Sequence, residues 1–178
     1  YTITPSALTL SSGLTLNYTI SYTSGTLTVN AATLTVTASA QSKSYGSTAP
    51  TSGTLSTNFT VSGLQNSDVV SGATLGYSGS PAGNLATAAV GAYIITPSAV
   101  TLSSGLTSNY SISYVTGMLT VNAVTLTVTA SAQSKTYGST APTSGTLTTN
   151  FTVSGLLGTD AVSGVTLGYS GSPAGNLG

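Results

Sequence analysis

The chain has 178 residues, no net charge and only four charged side chains, Lys43, Asp68, Lys135 and Asp160. With no His, Cys, Trp or Glu, it lacks the material for a zinc site, a nucleophilic triad, a disulfide framework or a paired-carboxylate centre. Charge this sparse gives nucleic acid or an anionic bilayer no basic patch to meet, and no apolar run approaches the ~20 residues that span a membrane.

Ser and Thr together account for 65 residues, yet the chain does not read as a disordered polar segment. Much of the polar material is β-branched Thr set between Val, Leu, Ile and Tyr, which suits a pleated sheet surface. The expectation is an all-β fold. The sequence also repeats: LTVTASAQSKSYGSTAPTSG at 34–53 returns at 126–145 with the single change of Ser44 to Thr136. The offset of 92 residues holds throughout, and 70 of the 86 pairs between 1–86 and 93–178 are identical. Such self-similarity marks a tandem array.

In chain order, residues 2–5 are extended and 11–13 form a turn. Tyr18, Ile20 and Tyr22 then alternate with Thr19 and Ser21, and beyond Ser24 and Gly25 the alternation resumes at Leu27 and Val29. This pair of runs reads as a β-hairpin with Gly in its loop. At 30–33 the apolar phase slips, from odd positions (Leu27, Val29, Ala31) to even ones (Leu34, Val36, Ala38), and the slip recurs at 122–125. One strand cannot change phase without turning its side chains to the opposite face. The slips divide the chain into the C-terminal part of one repeat (1–30), a complete repeat (31–122) and the N-terminal part of the next (123–178). Linkers this short predict a stiff rod.

Within the complete repeat, Leu34, Val36, Ala38 and Ala40 predict a strand that ends at the 42–46 turn. Lys43 and Tyr45 read there as a strand end and a core plug. Phe59 and Val61 share a strand face. Residues 63–72 predict a turn or a single helical turn capped by Asp68, followed by a strand at 73–78 and a loop at 79–84. Residues 90–100 read as a strand buried on both faces at Tyr93, Ile94 and Ile95, and a second copy of the hairpin, 109–121, closes the domain. About seven short strands with turn signals between them predict a sandwich or barrel. The first choice is tandem immunoglobulin-like β-sandwiches of 92 residues, and a β-grasp-like sheet domain is the alternative.

Four motifs in order, SKSYG followed by AP, FTVSGL-x-x-x-D-x-V-S-G, the Tyr93-Ile94-Ile95 strand and NYSISYVTGMLTVN, resemble the MBG domain of the YGX type. The resemblance covers the whole repeat. It implies a tandem module of large bacterial surface or secreted proteins of the adhesin kind, outside the cell, with no catalytic residues to carry over.

The expected function is accordingly structural, a repeat that builds an extracellular rod, stalk or fibre, with no enzyme activity and no catalytic, cofactor or metal site. Asp68 alone is too few oxygens for calcium, and GYSGSPAGN lacks the Lys and helix of a phosphate loop. A glycan- or protein-binding adhesion module, using Tyr rings and the 78–84 loop, is the alternative. Partners would be neighbouring repeats and, through lateral self-assembly, other chains. Glycan decoration at Asn17, Asn58, Asn109 and Asn150, and an isopeptide bond from Lys43 to Asn58 or Asp68, are further alternatives weighed against plain solvated side chains.

Overall fold

A computed structural model of the protein describes residues 1–171 and Gly175. Two short strands, β1 (Thr2–Ile3) and β2 (Gly25–Thr26), precede a complete sandwich. Its strands are β3 (Ala32–Ala38), β4 (Gln41–Ser44), β5 (Ser52–Gly53), β6 (Phe59–Ser62), β7 (Val69–Tyr77), β8 (Gly91–Ser104), β9 (Tyr110–Val115) and β10 (Gly117–Asn122). Four more follow: β11 (Thr127–Ala130), β12 (Ser144–Gly145), β13 (Phe151–Ser154) and β14 (Val165–Thr166). The chain is all-β, its helical content among the described residues limited to two 3-10 turns, Thr15–Asn17 and Thr107–Asn109.

The sandwich consists of a three-stranded sheet, β6-β3-β9, and a five-stranded sheet, β4-β10-β8-β7-β5. Its core forms two adjoining clusters, because each inward-facing run supplies one apolar residue in two. Leu34, Val36, Phe59, Val70, Ala73, Val100 and Tyr110 fill one, and Ala38, Leu75, Ala88, Ile95, Leu119 and Val121 fill the other. The outward Thr residues of β3, between Leu34, Val36 and Ala38, are only half-buried.

Several local expectations are corrected. The run 109–121 is not a hairpin. β9 pairs parallel with β3, while β10 pairs antiparallel with β8 and parallel with β4. The chain bends at Thr116 and passes from one sheet to the other. Gly117 permits this because a Cβ there would lie 2.6 Å from the Ala38 carbonyl oxygen. The first strand makes the same crossing beside it, between β3 and β4, which breaks the predicted alternation and leaves Ala40 exposed. Alternation around a glycine is common to a hairpin turn and to such a crossing, so the pattern alone does not separate them.

β8 is buried on one face, not two: Ile95 is fully buried, but Ile94 and its cross-strand partner Met118 are 53% and 54% exposed. Residues 65–68 form a turn closed by the Asp68 N–H on the Gln65 carbonyl at 3.1 Å, with no helical turn for Asp68 to cap, and β7 begins directly after it at Val69.

The flanking segments repeat parts of the same ladder. Thr2 opposes Thr26 as Ile94 opposes Met118, and β11 with β13 and β12 with β14 reproduce β3 with β6 and β5 with β7. The second copy of the 79–84 loop lies mostly outside the described residues. One consequence of the topology positions everything else. Since β3 and β4 run parallel to β9 and β10, the chain enters the sandwich at a leading end, where Ala32 lies beside Tyr110, and leaves at the opposite, trailing end, where Asn122 lies beside Ser44.

Candidate functional site

The few charged side chains of the complete repeat sit at its two ends. At the leading end, Tyr110 is 7% exposed and its hydroxyl donates to Asp68 Oδ2 at 2.6 Å, while accepting the Gln65 N–H at 3.0 Å. A hydroxyl supplies one donor and two acceptor sites, so one phenol ties β9 to the turn before β7. The hydrogen bond to the Asp68 carboxylate raises the Tyr110 hydroxyl above its usual pKa of 10.0, with burial and the carboxylate's charge adding to it and the Gln65 N–H opposing it. Gly105 fits beside Asp68 because any Cβ there would strike the carboxylate.

At the trailing end, Lys43 is a buried ammonium, 8% exposed, not a solvated strand end. Its Nζ donates to the carbonyls of Ser47 at 2.9 Å and Leu85 at 2.8 Å, and burial lowers its pKa from 10.5. The charge thus pins the Tyr-Gly turn to the 82–88 loop. Tyr45 follows it, half-buried against the second core cluster, with its backbone N–H on the Asn122 carbonyl at 2.8 Å. Its hydroxyl is not sealed in a core: it donates across the repeat boundary to Asp160 Oδ1 at 3.2 Å, a bond that raises its pKa above 10.0.

The structure does not bring an isopeptide pair together. Lys43 faces backbone carbonyls, Asp68 faces Tyr110, and Asn58 is a turn staple that accepts the Thr54 N–H at 2.9 Å and donates to Gln41 at 3.3 Å. Asn150 accepts the Thr146 N–H at 2.8 Å in the same way. Among the described residues no group of three or more acidic, His or Cys side chains is gathered to hold a metal. Among those residues, too, no helix is long and apolar enough to cross a membrane.

Other tyrosines are likewise occupied internally. Tyr77 donates to the Pro50 carbonyl at 2.7 Å, Tyr93 to the Ala89 carbonyl at 2.9 Å, and Tyr114 accepts the Val100 N–H at 3.1 Å. The 78–84 loop packs on the Tyr93 ring, so tightly that a Cβ at Gly79 would fall 2.7 Å from Tyr93 Cε1. The sequence singles out Lys43, Asp68 and Tyr45 by their rarity or their turn, but not their partners. Sequence reasoning misses the Tyr110 clamp, although a Tyr recurs at Tyr18, and its signal is the fixed Asn-Tyr pair after each turn.

These arrangements fasten one part of a chain to another. No curated protein and no solved structure matches the chain. The profile of the MBG domain (YGX type) matches residues 34–120 and again 126–178, so both the complete sandwich and the partial copy after it are recognised. The chain therefore belongs to the MBG domain family of the YGX type, as a tandem of its repeats.

Proposed function

We propose that the chain is a structural segment of an extracellular bacterial surface protein, in which repeats joined end to end give length and stiffness to a rod, stalk or fibre. It has no enzymatic role in this reading. The observation that carries it is the parallel pairing of the first and last strands, β3 with β9 and β4 with β10. Parallel closure sends the chain in at one end of the sandwich and out at the other, so successive repeats add length instead of folding back. Only residues 123–126 separate Asn122 from the start of β11 at Thr127. A connection this short restricts the angle between neighbours. Family membership supports placement outside the cell, as surface arrays are where the resemblance leads. The internal engagement of Tyr77, Tyr93 and Tyr110 favours structure over a ligand-binding surface.

The test is electron microscopy of arrays carrying increasing numbers of the 92-residue repeat. Straight particles whose length grows in proportion to repeat number are expected. Collapsed or randomly coiled particles would overturn the rod. Placement is checked by protease treatment of intact producing cells, with loss of the repeats from the surface expected.

Lateral packing of such rods is a second reading, favoured by the surface itself. Lys43 is buried and Asp68 is half-buried and bonded, while Ile94 and Met118 form an exposed apolar pair on the outer face of the larger sheet. Little on that face repels a neighbouring rod.

A further inference from the structure

We infer that the turn at Tyr45-Gly46 and the loop 157–160 of the following repeat form a docking joint that sets the angle between successive repeats. Three observations support it. The Tyr45 hydroxyl donates to Asp160 Oδ1 at 3.2 Å, across 115 positions of sequence. Leu157 lies over Gly46, where a Cβ would come 2.5 Å from Leu157 Cδ1, and Gly46 also holds φ +84, a conformation other residues rarely adopt. Tyr45, Gly46, Ala86, Leu157 and Asp160 share the walls of one cleft of about 90 Å³.

The carboxylates are used in a complementary way. Asp68 gives Oδ2 to Tyr110 of its own repeat, while Asp160 gives Oδ1 to Tyr45 of the repeat before. One carboxylate has oxygens enough for both bonds, so the clamp inside a repeat and the joint between repeats are compatible at every Asp of an array.

The loop also varies where the joint needs it. Leu157-Gly158-Thr159 stands where the preceding repeat has Gln65-Asn66-Ser67, so the residue over the glycine is apolar in one loop and polar in the other. A Leu loop buries apolar surface on the Tyr-Gly turn and a Gln loop does not, which grades stiffness from joint to joint.

The joint rests on the rod reading for its purpose, but its test separates the two. Residual dipolar couplings are measured on the full 178-residue chain for amides of 34–120 and 126–171. One shared alignment tensor is expected for the native protein. Leu157→Gln together with Tyr45→Phe should abolish that agreement, with the amide shifts of Leu34, Phe59 and Phe151 unchanged as the control for folding. Phe is retained at 45 so that the ring still packs, and Leu157→Gln alone, at an exposed loop, serves if the double variant is unstable. A shared tensor that survives both variants would overturn the joint and leave the rod standing on its short linker. Separate tensors in the native chain would overturn both.

Discussion

Lys43 shows how much of this fold depends on a single side chain. In a repeat with one cation, that cation is buried and satisfied by two backbone carbonyls, those of Ser47 and Leu85. Lys43→Met keeps the stem but strands both acceptors, and should cost about 1–3 kcal/mol in denaturant unfolding. Tyr110 gives a prediction in pH. Its hydroxyl is held above 10.0 chiefly by its bond to Asp68, so the folded protein resists its ionisation more than the unfolded chain does. The stability this contributes is complete below pH 10.0 and is lost as pH rises through the higher folded value. Asp68→Asn should return the Tyr110 ionisation toward its ordinary range, read from ring resonances in an alkaline titration. Lys43 and Asp68 stand out in the sequence because charge is so rare there. Their partners do not, since a backbone carbonyl leaves no mark in the sequence and Tyr110 is one tyrosine among ten.

The period-two alternation locates strands at Leu34, Phe59, Leu75, Ile95, Tyr110 and Leu119, because a half-buried strand must repeat every second residue whatever it pairs with. It says nothing about which strand lies alongside, and there the hairpin reading fails. Whether β9 and β10 fold against each other or cross between sheets is decided by close approach at Gly117, a tertiary matter. That gives a paired prediction. Gly117→Ala sets a methyl against the rigid Ala38 carbonyl and should destabilise by about 1–3 kcal/mol. Gly76→Ala, in an exposed position of β7 whose nearest neighbour is the Thr96 carbonyl oxygen at an ordinary 3.6 Å, should change stability by less than about 0.5 kcal/mol. Equal effects in thermal unfolding would remove the crossing from its explanatory place.

At the scale of the molecule, surface chemistry predicts how arrays meet. With two Lys and two Asp in the chain, Coulomb repulsion between the proposed rods is small, so the side-by-side association proposed above should change little when moderate salt screens charge, and should strengthen only in salts that drive apolar burial. Sedimentation at low and moderate ionic strength checks this, and dissociation as salt rises would point to ion pairs instead. The parallel closing strands have a mechanical consequence as well. A tether pulled taut tugs Ala32 and Asn122 in opposite directions along the strand axis. The pair β3 and β4 must then slide past β9 and β10, over six paired positions in one ladder and four in the other. Bonds arranged across the line of pull yield together, whereas those of a hairpin peeled from its tip open one by one. A repeat that opposes shear in this way should withstand pulling beyond what its thermal stability alone would suggest.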